Sequence, residues 1–231
     1  LDGTKVQANA SKHKAMSHGR MLRAEKQLQQ EINALMRRAE ILDAQDDRRY
    51  GKGKLGSELP NELRHKQGRL EKIRKARKEM EAETAAAAAR QRHQDAEEAR
   101  AKAAAAHGSD ATAEEQADLN RKAEAAAAKA MVALEKAIEA ADSAGVEPDL
   151  ELLATNAMPR RGLARKADGT PTKKTQRNFT DPESHLMPSG GAFLQGYNCQ
   201  LAVDSDHQVI VAAGVSNQSP DFEHLEPMLE R

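Results

Sequence analysis

From Met21 to Leu42 the apolar residues Leu28, Ile32, Leu35, Ala39 and Leu42 recur at steps of four, three, four and three. This is the a/d spacing of a coiled-coil seam, in which about 3.5 residues return a side chain to the same edge of a helix. The spacing predicts a helix with one sticky edge. Asp46, Asp47 and then Gly51, Gly53 and Gly56 break the pattern, and Pro60 with Asn61 and Glu62 suits the start of a second helix. That helix repeats the seam with Leu63, Leu70, Ile73 and Met80, at steps of seven, three and seven. Two seams joined by a short loop predict an antiparallel hairpin over residues 21–81. Spacing does not specify whose helix lies opposite, so pairing of the same seams in a homo-oligomer stays open.

The pattern changes at Ala82, because 27 of the 63 residues from Ala82 to Ala144 are alanine. Alanine has the best helix propensity but little area to bury, so long, loosely attached, mobile helices are expected, with Met131, Leu134 and Ile138 as the anchoring stripe. Gly108 can end one helix, Ser109 or Asp110 can cap the next, and Gly145 to Pro148 ends it. From Thr155 to Asn178 there is no periodicity, and Pro159, Gly162, Gly169 and Pro171 punctuate a basic linker. Strand signals come late: Phe193 to Val203 as one strand, Asp204 to His207 as a turn, and Gln208 to Val215 as a second strand. Asp221 to Arg231 reads as the opening of another helix. The fold class is mixed α/β and mostly helical.

Composition narrows the picture. With 39% hydrophobic, 2% aromatic and 31% charged residues among 231, the chain cannot bury one large core. Lys plus Arg equal Asp plus Glu at 36 each, so any polyanion-binding signal must come from local clusters. Two exist. Lys12, His13, Lys14, His18, Arg20 and Arg23 form one; Arg160, Arg161, Arg165, Lys166, Lys173, Lys174 and Arg177 form the other, seven positive charges against Asp168 alone. Such clusters neutralise phosphates, and a solvated spacer has the same composition. Few aromatics accompany them to stack on bases, so both readings stand. His13 and His18 are five apart and do not make the i, i+4 pair of a helical metal site.

The one cysteine, Cys199, excludes an internal disulfide framework and a cysteine-based zinc site; it reads as a small strand residue in a reducing cytosol. No run approaches the roughly 18 apolar residues of a membrane span, and no signal sequence opens the chain. A cytoplasmic protein without a membrane partner is expected. Gly51 to Ser57 lacks the four-residue gap of a phosphate loop, and no nucleophile elbow or His-Glu-x-x-His is present.

Two segments carry a resemblance. Leu1-Asp2-Gly3-Thr4-Lys5-Val6-Gln7-Ala8-Asn9-Ala10-Ser11, continuing to Ser17, resembles the first catalytic-aspartate motif of insertion-sequence transposases of the DDE type. Gly196-Tyr197-Asn198-Cys199-Gln200-Leu201-Ala202-Val203-Asp204 resembles the next core strands of that group, with Asn178 to Ser184 before it and Gln208 to Ala213 after it. The resemblance implies a partial ribonuclease H-like core of a few antiparallel strands, interrupted by a long coiled-coil-like helical insertion. Residues 1–20 then hold the first core strand, 21–145 the insertion, 146–178 the linker, and 179–231 a core hairpin with the start of a helix. It also implies DNA cleavage and joining by two-metal chemistry on transposon ends and target DNA, with Mg²⁺ as cofactor.

Asp2 is the catalytic residue and metal ligand so implied, although spacing alone would read Asp2-Gly3 as a turn. The family's second aspartate and its glutamate normally follow the strands seen here. Asp204 and Asp206 fall in a turn and are not assigned. The expectation is a truncated, inactive fragment, opening at Leu1 inside a motif that belongs within a strand. Lys12, Lys14, Arg160, Arg161, Arg165, Lys166, Lys173 and Lys174 are its candidate DNA-binding residues. A non-enzymatic coiled-coil protein that binds a partner or nucleic acid through its helices is the alternative.

Overall fold

The computed structural model describes residues 2–50, 61–107, 112–150 and 158–230. The chain is mixed α/β and mostly helical. Strand β1 (Asp2–Gln7) leads through a 3-10 turn (Lys12–Lys14) and β2 (Ala15–Ser17) into three long helices: α1 (His18–Tyr50), α2 (Asn61–Ala106) and α3 (Ala113–Ala144). The chain then returns through β3 (Gln176–Asn178), β4 (His185–Ser189), β5 (Ala192–Val203), β6 (Ile210–Ser216) and α4 (Leu225–Leu229). Among the described residues no helix is long and apolar enough to cross a membrane.

The predicted seam is where α1 meets α2. Leu28 and Ile32 lie buried in one cluster with Leu63, Leu70, Ile73 and Met80, closed at the base by Met21 and Leu163. The seam fades toward the end of α1: Leu35 is only partly buried and Leu42 is 58% exposed. Charges stitch its flank. Glu25 accepts from Arg74 Nε at 2.9 Å and Arg77 Nε at 2.9 Å, and Arg77 also reaches Glu81, which meets His18 at 3.0 Å.

Burial pushes the Glu25 carboxyl up, but the hydrogen bonds and charges of Arg74 and Arg77 outweigh it and hold the group below its ordinary value of 4.5. A carboxylate depressed on folding contributes stability above its unfolded value and loses it as pH falls through the folded one. Glu25→Gln should therefore lower the urea midpoint at neutral pH and flatten its fall below pH 4.5 relative to the unsubstituted chain. Parallel acid limbs in the two proteins would show that this pairing adds nothing.

Helix α2 runs without a break through the expected boundary at residue 81, and its buried positions change from large to small. Ala82, Ala86, Ala89, Ala96 and Ala103 face Ala123, Ala137 and Ala141 of α3. The two ends of this antiparallel pair are pinned by Lys78 Nζ donating to the Ser143 carbonyl at 2.9 Å and Gln116 Nε2 donating to the Ala103 carbonyl at 2.9 Å. The expected anchoring stripe is not the buried contact: Met131 is 66% exposed, Ile138 43%, and Leu134, although it shares a cavity with Ala89 and Ala96 of α2, is still 40% exposed. Small residues let two backbones close together. Ile138 follows Ala137 by one position, about 100° round the helix, and so misses the seam. Thr112 caps α3 with Glu115 completing a capping box, and Gly145, at φ 69°, ends it. The caps expected at Ser109 and Asp110 fall outside the described residues.

The expected linker is folded over its described part. Leu163 joins the α1–α2 cluster, β3 pairs with β2, and the Thr175 and Lys173 carbonyls accept from His18 N at 2.8 Å and Gly19 N at 3.0 Å. They satisfy donors that the first turn of a helix leaves unpaired. Arg177 is fixed by Glu83 at 2.6 Å and Glu79 at 3.3 Å.

In the sheet, β5 is the hub. It pairs antiparallel with β1 on one side and with β4 and β6 along its length, matching the expected strand start at Phe193 to one residue. Strand β4 was not anticipated; the Gly190-Gly191 turn, with φ of 55° and 80°, joins it to β5. Paired residues share a face, so Gly3, Lys5, Asn198, Gln200 and Ser216 stand on one side. Asp2, Val6, Leu201 and Val215 stand on the other, where the three apolar ones are exposed.

Candidate functional site

Asp2 lies in extended strand, opposite Leu201, and its side chain is exposed. The turn that Asp2-Gly3 suggests locally does not form. Gly3 is needed for another reason: a Cβ there would sit 2.4 Å from Gln200 Nε2 and 3.0 Å from Asp221 Oδ1. These atoms belong to a polar knot under the sheet. Asp221 Oδ1 accepts from Asn198 Nδ2 at 2.6 Å, Gln200 Nε2 at 2.8 Å and Lys5 Nζ at 3.2 Å. The Asn198 hydrogen bond, with Lys5 and Gln200 added and burial opposing, holds the Asp221 carboxyl below its usual range.

The sequence marks Asp221 only as a helix opening. The signal that could have found its partner role is Asn198 and Gln200 at alternate positions of one strand, since two amides turned to a buried face require a polar partner.

No group of three His, Cys, Asp or Glu side chains that could hold a metal exists among the described residues. Asp2 and Gly3 are neighbours in a strand, so Asp2 faces away from the knot that holds Asp221. One exposed carboxylate does not fit a two-Mg²⁺ site. Asp204 and Asp206 lie in the β5–β6 turn, where Asp204 Oδ2 accepts from His207 N at 2.9 Å. Hydrogen bonds from His207 hold its carboxyl below the usual range. Cys199 is a free, half-buried strand residue opposite Thr4 and Val215.

The candidate DNA-binding residues divide into two sets. Lys12 and Lys14 are exposed on the 3-10 turn beyond β1 and line a groove of about 660 Å³ that also includes Gln195. Arg161 and Lys174 line an adjoining groove of about 280 Å³ that shares Gln195. Asn178 ties the two together, donating from Nδ2 to the Ser11 carbonyl at 2.8 Å while its Oδ1 accepts from Thr180 N at 2.9 Å. Arg160 and Lys173, also exposed, are next in sequence to Arg161 and Lys174. Arg165 and Lys166 belong instead to a hairpin, closed by the Arg165–Pro171 bridge, that rests on α2 at Ala88. Arg177 and His18 are engaged by glutamates of α2. No protein-family model, curated protein or solved structure matches the chain.

Proposed function

We propose that this chain is the part of a DDE-type insertion-sequence transposase that bears the first catalytic aspartate, in a protein that works in the cytoplasm on transposon ends and target DNA. The observation that supports this most is the setting of Asp2. Its strand β1 has β5 as its one neighbour among the described residues, and β5 turns directly into antiparallel β6. Three such strands with the aspartate strand outermost are what the start of a ribonuclease H-like core requires. The long helices enter between β1 and β5, as an insertion would.

The basic grooves support DNA as partner. Lys12 and Lys14 line one groove and Arg161 and Lys174 another, from segments about 150 residues apart in sequence, and the two grooves have Gln195 in common. The coiled-coil alternative is weakened because Leu28, Ile32, Leu63, Leu70 and Ile73 bury one another within one chain, leaving that seam little to offer a partner.

Asp2 alone supplies one carboxylate, whereas two ions held roughly 4 Å apart need several fixed oxygen ligands. The purified chain should therefore leave supercoiled plasmid intact with Mg²⁺ or Mn²⁺. Nicking that disappears in Asp2→Ala would overturn this. The test of the DNA reading is fluorescence anisotropy with a labelled duplex over a salt series. Changing Arg160, Arg161, Lys173 and Lys174 to Gln should flatten the slope of log K against log salt by about 3 to 4, since each phosphate neutralised contributes about 0.9. No duplex binding at low salt would sink the reading.

A further inference from the structure

The larger groove has a lining that its basic residues alone do not explain. It runs from the end of β1 along the 3-10 turn to the tip of the β4–β5 hairpin, and Phe193 forms part of its wall with its side chain 60% exposed. Lys12, His13 and Lys14 stand along the same groove, none of them in an ion pair with a described residue, and among the described residues no acidic side chain lines it. Its volume, about 660 Å³, is that of a site for a small molecule or a short stretch of polymer.

An aromatic ring left open to water beside three basic groups is a combination with a specific use. A phosphate needs the cations and gains nothing from the ring; a base offers a π-face and gains nothing from the cations. A nucleotide uses both. In duplex DNA the base faces are covered by their neighbours, so only an unpaired base can lie on Phe193. Asn9, Ser11 and Thr180 at the groove add side-chain hydrogen-bonding groups for a base edge or sugar. The Gly190-Gly191 turn holds Phe193 opposite Pro188, and one residue further on Leu194 lies opposite the fully buried Met187. The ring is thus presented by a paired hairpin.

We propose that this groove binds single-stranded DNA, with one unpaired base laid on the Phe193 ring and the flanking phosphates met by Lys12, His13 and Lys14. The proposal rests on the nucleic-acid reading above and assigns to it a strand preference and a stacking residue.

The experiment measures anisotropy of a labelled 20-nucleotide oligothymidine and of a 20-base-pair duplex with the full chain, its Phe193→Ala variant and its Lys12→Gln/Lys14→Gln variant. Loss of one stacked base should weaken the single strand about tenfold and leave the duplex unchanged. The double lysine variant should flatten the single-strand salt slope by about 1.4, at roughly 0.7 per phosphate. The chain contains no tryptophan, so Phe193→Trp places a sole indole in the groove. Its fluorescence should be quenched by oligothymidine and not by the duplex. Circular dichroism spectra matching the unsubstituted chain exclude misfolding as the cause. Duplex binding with equal single-strand affinity in Phe193→Ala overturns this proposal and leaves the DNA reading standing. Binding of neither oligonucleotide overturns both.

Discussion

Ile73→Ala should be among the most damaging substitutions in the helical arm, costing about 2 to 4 kcal/mol. Ile73 is 2% exposed and lies in one buried cluster with Leu28, Ile32 and Leu70. Truncation removes buried methyl groups and leaves a cavity that two long helices cannot close without shifting the rest of the seam. Leu35 has the same heptad spacing but is only packed against the edge of the cluster. Leu35→Ala should therefore cost less than half as much, although the sequence treats the two positions as equivalents. Urea titrations followed by circular dichroism would test the ranking. Equal losses would show that the seam stays packed as far as Leu35; no loss in either would show that it is not packed.

Gly196→Ala should destabilise the sheet by about 1 to 3 kcal/mol, for a different reason. A Cβ at Gly196 would sit 2.2 Å from the Val6 carbonyl oxygen and 2.4 Å from Leu194 Cδ1. The leucine can swing aside; the carbonyl belongs to β1 and cannot move without disturbing the strand. Gly196 pairs with Gln7 of β1 and with His185 of β4, so it is the point where β5 is held from both sides. Gly68→Ala is the matched control, because nothing lies within 4 Å of a Cβ there, and in mid-helix alanine should stabilise by about 0.5 to 1 kcal/mol. Thermal melts should move in opposite directions. A Gly196→Ala melt equal to that of the unsubstituted chain would mean that β1 is not held against β5 as described.

What could be read in advance follows from how far each signal reaches. The α1–α2 seam was legible because large apolar residues at heptad spacing state both the helix and its buried edge. Strand β5 was legible because Phe193 to Val203 is bounded by turn residues. On α3, Met131, Leu134 and Ile138 form a plausible stripe, but the winning contact is between alanines, whose burial leaves no mark in a hydrophobicity pattern. Strand β4 escaped notice because His185 to Ser189 includes Pro188 and lacks β-branched residues. Its pairing is imposed by β5.

The candidate site shows the same division. Lys12, Lys14, Arg161 and Lys174 could be named as basic residues, but which of the basic residues share a surface is a property of the fold. Arg177 illustrates the limit, since composition counted it with the phosphate binders and two glutamates of α2 hold it. The sequence marks Phe193 as a strand residue, and only the hairpin tip reveals that it is open to solvent.

Helix α2, 46 residues and thus about 69 Å long, has Ala82, Ala89, Ala96 and Ala103 along its seam at intervals of seven, and Ala123 and Ala137 of α3 stand two such intervals apart. The arm is therefore a ruler with two-turn graduations. Seven residues inserted into or removed from both helices at matching points along the seam return every alanine beyond that point to its place, and the sheet is untouched. Any other number turns the larger side chains into a gap that only a methyl group fills, so a lineage of such arms should differ in length by whole heptads.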